Sequence, residues 1–314
     1  MPSAAVPVRS GAATGPGRAD TEGIIGFRHR DELPQPLHDP VLVAAFEGWN
    51  DAGDAASTAA AFLRRRLGAR RFAALDPEDF YDFQVNRPQV RLVDGTTREV
   101  RWPANDFFHA RIERAAGTRD VLLLHGVEPN LRWRAFGELV VDVAREAGVH
   151  LVVTLGALLA NVAHTRPVQV TGTAARPELA QRLGLGLSRY EGPTGIVGVL
   201  SDAFSVAGFD AVSLWAAVPH YVRETPDPRA TLALVRRVAL LLDLDIDTAQ
   251  LESSAVTYEH QVTQAIAGEP ELVGYVEELE AEADAPDEDP EPSGEAIAAE
   301  LEAFLREQTK PPDE

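Results

Sequence analysis

The sequence has no cysteine and, among 29 basic residues, a single lysine, Lys310. The first absence excludes disulfides, thiolate metal sites and a cysteine nucleophile. The second leaves 28 arginines and removes both a phosphate-loop lysine and a Schiff-base lysine from any core site. Long apolar runs are missing too. The stretches at 151–162 and 232–242 are too short or too broken by arginine to span a bilayer. Residues 1–20 are rich in Ala, Gly, Pro and Ser with no apolar h-region, so no secretory signal is expected and the protein reads as cytoplasmic. The eight histidines, at 29, 38, 109, 125, 150, 164, 220 and 260, form no zincin-type pair. No Gly-x-Ser-x-Gly elbow occurs, and Gly192, Gly195 and Gly198 are spaced G-x-x-G-x-x-G, not as a dinucleotide fingerprint. Gly184-Leu185-Gly186 lacks the third glycine. The pattern calls for no metal and no cofactor.

What is there describes a globular chain. Its 314 residues are 45% apolar and 25% charged, with mean hydropathy −0.13, enough for one large or two ordinary domains. The net charge of −20 is uneven: residues 271–314 hold 16 acids against Arg306 and Lys310. Such a balance repels phosphate backbones, so no nucleic-acid partner is expected, and no membrane either.

Apolar runs alternate with helical stretches. Residues 41–46 (VLVAAF) suit a strand covered on both faces, followed by a polar loop, 47–53, and a helix over 54–67 ending in three arginines. Residues 121–124 read as a strand, 131–147 as a helix closed by Gly148, and 150–154 as a strand followed by a helical 157–164. Residues 195–200 read as a strand, with Ser201 and Asp202 capping the next helix; 210–218 is a strand and 228–242 a helix. This alternation predicts an α/β fold with a mostly parallel sheet between helix layers. Asp94-Gly95, between 90–93 and 98–102, signals an antiparallel hairpin inserted at or extending a sheet edge, and a candidate for subunit contact. From Leu251 the apolar stripe Leu251, Ala255, Tyr258, Val262, Ala265 predicts a helix, broken at Gly268-Glu269-Pro270 and resumed by Leu272, Val273, Val276 and Leu279. The expected organisation is an N-terminal arm, 1–22; an α/β core, 23–245; a helical pair, 246–280; and an acidic tail, 281–314, with one amphipathic helix over 295–306.

Ligands of open α/β sheets sit beyond the carboxyl ends of the strands. The loops there supply Glu47, Trp49, Asn50 and Asp51; His125, Glu128 and Arg132; and Arg189, Glu191 and Thr194. On a functional reading, Glu47 or Glu128 is a general base, or the two combine with His125 on a metal. On a structural reading, Asn50 and Asp51 cap the following helix, Gly53 admits a tight turn and His125 bonds a backbone carbonyl. No catalytic residue is assigned.

The run FEGWNDAGDAAS (46–57) resembles the signature of the proteasome assembly chaperone 2 family in its actinobacterial form. The resemblance continues through YDFQVNRPQVR (81–91), HGVEPNLRWRAF (125–136), LGALLANVAHTRPVQVTGTA (155–174), SRYEGPTGIVGVL (188–200) and SLWAAVPHYV (213–222). It implies a three-layer α/β/α sandwich similar to the phosphorylase/hydrolase-like fold, with a C-terminal helical extension. It also implies a homo-oligomer, the trimer favoured, acting as chaperone or scaffold without catalysis, with proteasome subunits as candidate partners. Related eukaryotic chaperones carry a hydrophobic-Tyr-any tail that enters the α-ring, whereas this chain ends Lys310-Pro311-Pro312-Asp313-Glu314. ATP chemistry, also associated with the family, is not expected without core lysines. The alternative is a small-molecule-binding protein or hydrolase-like enzyme that uses the strand-end loops.

Overall fold

The computed structural model describes residues 26–187, 190–222 and 225–285. In chain order the elements are β1 (Phe27–Arg30), β2 (Val41–Glu47), α1 (Ala55–Arg66), β3 (Arg70–Leu75), α2 (Pro77–Phe80), β4 (Gln89–Val93), β5 (Thr97–Arg101), β6 (Asn105–Arg114) and β7 (Gly117–Val127). Then follow α3 (Trp133–Glu146), β8 (Leu151–Ala160), β9 (Val170–Ala174), α4 (Pro177–Leu183), β10 (Gly186–Leu187), α5 (Ile196–Val206), β11 (Asp210–Pro219), α6 (Pro228–Leu242), α7 (Ala249–Ile266) and α8 (Pro270–Asp284).

Nine strands form one sheet in the order β1-β3-β6-β7-β2-β8-β11-β9-β10. The four central strands, β7-β2-β8-β11, are parallel, and antiparallel strands widen the sheet on both sides. The continuous apolar run of β2 is explained by its place at the centre. Val41, Val43 and Ala45 enter the core under α1 and α6, and Leu42, Ala44 and Phe46 the core under α3 and α5. Period-two alternation thus feeds two hydrophobic layers, which is the α/β/α sandwich. Phe46 and Phe80 both meet Phe136 of α3 edge-on, at 5.9 and 5.4 Å between ring centroids.

Two local expectations fail and a third holds only in part. The helix over 157–164 is instead the end of β8, which continues to Ala160 because β11 pairs with it as far as Pro219↔Ala160. Pairing with β11 overrides the helical preference of Ala and Leu there. The strand over 195–200 is the first half of α5, with Gly195 at its N-cap, so Ser201 and Asp202 lie within the helix and cap nothing. A short apolar run does not by itself separate buried strand from buried helix. The Asp94-Gly95 hairpin is present, with φ of 55° and 72°, but β4 and β5 form a separate two-stranded sheet and extend no edge of the main one.

The C-terminal pair forms as two helices. Leu251, Ala255, Tyr258 and Val262 of α7 are buried, Ala265 is exposed, and α7 packs along α6. Helix α8 runs to Asp284, past the expected boundary at residue 280. It crosses the carboxyl ends of β8 and β11, where Val276 and Leu279 close over Ala163, with Tyr221 and Tyr275 beside them. The expected 295–306 helix and the 1–22 arm lie outside the described residues. Among the described residues, no helix is long and apolar enough to cross a membrane.

Candidate functional site

The carboxyl ends of β2 and β7 bring two of the expected loops together on the N-terminus of α5. Glu128, just past β7, is the connector. Its Oε1 accepts the Ile196 N–H at 2.8 Å, an otherwise unpaired donor of the first turn of α5. Its Oε2 accepts the Trp49 N–H at 3.3 Å, and its own N–H donates to the Glu47 carbonyl at 2.8 Å. The carboxylate therefore ties the β2 loop to a helix terminus that favours negative charge. The approach is close enough that a Cβ on Gly195 would lie 2.0 Å from Asn50 Oδ1 and 2.6 Å from Glu128 Oε1. Only glycine fits there.

Asn50 and Asp51 are 6% and 5% exposed. Asp51 Oδ1 accepts the Ala56 and Ser57 N–H groups at 2.7 and 3.1 Å, which holds the start of α1. Burial pushes its carboxyl up to about 6 in spite of those bonds. The Asn50 carbonyl accepts the Ala157 N–H of β8 at 2.9 Å, and Gly53, at φ 59°, passes its carbonyl to the N–H of Asp227, the cap of α6. Burial, and then Asp54, raise the Glu47 carboxyl. Trp49 stands out from this framework, 46% exposed.

The remaining expected residues separate. His125 faces α1, because it lies opposite Ala45 in the register and on the face of Leu123. Its cross-strand neighbour is Asp106 of β6. Burial, with Arg64 and Arg65 nearby, lowers the imidazole to about 4, so it is neutral at neutral pH. Arg132 turns away at φ 56° and pairs with Asp79 at 2.6 Å. Glu191 and Thr194 are exposed, with the Thr194 hydroxyl seated where Gly198 has no Cβ. Arg189 lies outside the described residues. Asp106 carries no local sequence signal, since it reaches His125 only through the antiparallel β6; burial raises its carboxyl against the pull of Arg71 and Arg64. Glu128 stands among the expected residues, but its two N–H partners, Trp49 and Ile196, come from distant parts of the chain.

No group of three or more potential metal ligands assembles among the described residues. Two concavities lie elsewhere. One, of about 250 Å³, is lined by Arg30, Asp79 and Arg132. The other, of about 580 Å³, lies against α6.

What gathers around the β2 and β7 ends is exposed apolar surface. The β4–β5 arm is rooted there: Tyr81 donates its hydroxyl to the Val127 carbonyl at 2.6 Å, and Asn105, where the chain returns, pairs with Gly126. On the arm Val90 faces Val100 across the ladder, and Val90, Leu92, Val100 and Trp102 are exposed, as is Leu131 in the turn between β7 and α3.

The sequence pattern of the PAC2 family matches residues 45–266. The chain belongs to the PAC2 family. A crystal structure of a PAC2 family protein from Streptomyces avermitilis is 51% identical, covers 76% of this chain and all of its own, and superposes with a TM-score of 0.71. A proteasome-assembly chaperone homologue from Mycobacterium tuberculosis is 50% identical over 75% of this chain and 99% of its own, with a TM-score of 0.69. The archaeal proteasome activator PbaB of Pyrococcus furiosus, 18% identical over 77% of this chain and 99% of its own, shares the fold at a TM-score of 0.60. No curated protein matches the chain.

Proposed function

We propose that this PAC2 family protein is a non-catalytic, homo-oligomeric scaffold or chaperone that grips protein partners with the β2/β7 end of its sheet, proteasome subunits being the partners to test first. One observation carries the reading. Glu128 and Asp51 are engaged in holding the protein's own helices, while Trp49, Leu131 and apolar side chains of the β4–β5 arm are exposed. Exposed aromatic and aliphatic groups beside one another mark protein interfaces. A lone two-stranded hairpin is also marginal in water and gains from a second surface, which supports self-association. The similarity to the mycobacterial proteasome-assembly chaperone homologue supports the choice of partner. The trimer remains the favoured assembly.

The test is native mass spectrometry of the tagged protein, alone and mixed with purified actinobacterial proteasome α and β subunits. A defined homo-oligomer that takes up α subunits, and loses them on Trp49→Ser, supports the proposal. A protein that stays free of subunits at micromolar concentration overturns the proteasome assignment. A strictly monomeric species overturns the scaffold.

A further inference from the structure

The basic residues of this acidic chain are not spread evenly. Five of its 28 arginines fall within residues 64–71, RRRLGARR, which contain no acid. Helix α1 ends at Arg66, and the chain turns into β3 through Gly68 at φ 62°. The Gly68 N–H donates to the Arg65 carbonyl at 3.2 Å and that of Ala69 to the Arg64 carbonyl at 2.9 Å, so the last turn of α1 is set beside the start of β3. Arg28 joins them from β1, which pairs with β3, and Arg71, Arg64 and Arg28 all lie close enough to pull on the Asp106 carboxyl. The helix dipole accounts for arginines at the end of α1, but not for those of β3 and β1. Arg64 lies over the Phe108 ring at 4.8 Å, Arg66 pairs with Asp247 at 3.2 Å, and Arg71 stands 3.6 Å from Asp106. Arg28, Arg65 and Arg70 are exposed and have no ion pair among the described residues.

The helical hairpin has the opposite composition. Residues 249–284 hold nine acids and no arginine or lysine. Four of the nine are paired within the chain: Glu252 with Arg236, Glu259 with Arg229, and Glu280 and Asp284 with Arg166. On α8, Glu271, Glu278 and Glu282 recur after seven and then four residues, which places them on one exposed stripe, and none has an ion pair among the described residues. Helix α8 rests on Ala163, just past β8, and β8 stands four places from β3 in the sheet, about 19 Å away. Among the described residues no ion pair joins the arginine surface to this stripe within one chain. Unpaired guanidinium groups on one surface and unpaired carboxylates on another complement each other between copies.

We infer that the surface of Arg28, Arg65 and Arg70 docks on the α8 stripe of Glu271, Glu278 and Glu282 in a second copy of this chain. The inference rests on the self-association proposed above and assigns its contact. Repeated from copy to copy, a contact between two unlike surfaces closes into a ring, which agrees with a trimer.

The test is charge reversal on each side, read by sedimentation of the full-length protein in low salt. Arg65→Glu with Arg70→Glu sets like charges against α8 and should raise the dissociation constant of the oligomer at least about ten-fold. Glu278→Arg with Glu282→Arg should do the same from the other side. Combining the four substitutions in one chain exchanges the signs and should restore the oligomer of the parent, a rescue that damage to the fold would not give. If reversal at Arg65 disturbs the end of α1, Arg28→Glu takes its place. An oligomer that both reversed variants leave intact overturns the inference while self-association stands. Weakened oligomers that the combined variant fails to restore overturn it too. A parent that sediments as a monomer at every concentration overturns both the inference and the reading on which it rests.

Discussion

Two neighbouring strand ends of the same parallel sheet are finished in opposite ways. At β8 and β11 the helical hairpin α7–α8 closes the end. His164, 1% exposed, has its ring nitrogens 2.9 Å from the Tyr221 hydroxyl and 3.0 Å from Thr263 Oγ1, and Val276 and Leu279 seal the contact. At β2 and β7 nothing in the described chain covers the end. Glu128 and Asp51 hold two helix N-termini from within, and Trp49 faces out. Polar residues at a strand end therefore do not by themselves mark a ligand site. Here one set joins a lid to the core and the other organises an uncovered platform, which is where the proposed partner binding is to be tested.

The comparison is broken most sharply by Val276→Asp, which places a carboxylate in the apolar contact beneath α8. An unpaired buried charge of this kind costs about 3–4 kcal/mol. The cost should be local: amide exchange of α7 and α8 accelerates strongly while that of β2 and β7 is unchanged. Equal acceleration in both regions would show that the lid and the core are one cooperative unit, and the contrast would fall.

Glu128→Ala attacks the other end. It removes the charged acceptor from the Ile196 and Trp49 N–H groups, with an expected loss of about 2–3 kcal/mol in denaturant unfolding. Glu128→Gln keeps an acceptor at Oε1 and should cost less than half as much. If Glu128→Ala leaves stability intact, the carboxylate is free for another role and the platform reading loses its anchor.

The parts of this contrast legible in the sequence were those set by local chemistry. The apolar β2, the paired helices from Leu251 to Leu279 and the Asp94-Gly95 turn follow from periodicity and φ preference. So did the meeting of the Glu47–Asp51 and Glu128 loops, since strand ends of a parallel sheet point one way. Long-range pairing was not legible. β8 is extended to Ala160 by its neighbours, α5 starts where Glu128 receives its first N–H, and Asp106 comes beside His125 only through the antiparallel β6. Arg132 is diverted to Asp79 by a left-handed backbone that no local signal announces. Each miss is a partner brought from elsewhere in the chain.

Acidification separates the two ends next. His125 is held at about 4 in the folded protein against an ordinary 6.5, so below pH 6.5 the unfolded chain takes up a proton that the folded one refuses. Stability then falls with pH, by ~2 kcal/mol at pH 5 from this group. Asp51, raised to about 6 from 3.8, works in the opposite sense and returns about 1 kcal/mol, because its folded form gains the proton first. Burial, and then Arg229, also lower His164, adding a loss of the same sign at the covered end. His125→Gln should flatten the fall in Tm between pH 7 and 5 with little change at pH 7. His164→Gln should flatten it too, but at a visible cost already at pH 7, since it breaks the Tyr221–Thr263 connection. A His125→Gln profile that matches the parent would remove His125 from the account.

The smallest effect on stability decides most about the platform. Trp49 is nearly half exposed, and its backbone N–H, not its ring, holds Glu128. Trp49→Ser should therefore change unfolding free energy by less than about 0.5 kcal/mol, the range of ordinary surface substitutions. If the ring anchors a partner, the same change should weaken capture of proteasome α subunits by at least about ten-fold, since tryptophan at an interface centre commonly contributes 2 kcal/mol or more. Leu240→Ser, at a more exposed side chain beside the α6 groove, serves as the control and should leave capture unchanged. Unaltered capture with Trp49→Ser would move the interface off the strand ends and onto the β4–β5 arm. There Leu92→Ser repeats the experiment at another exposed apolar side chain.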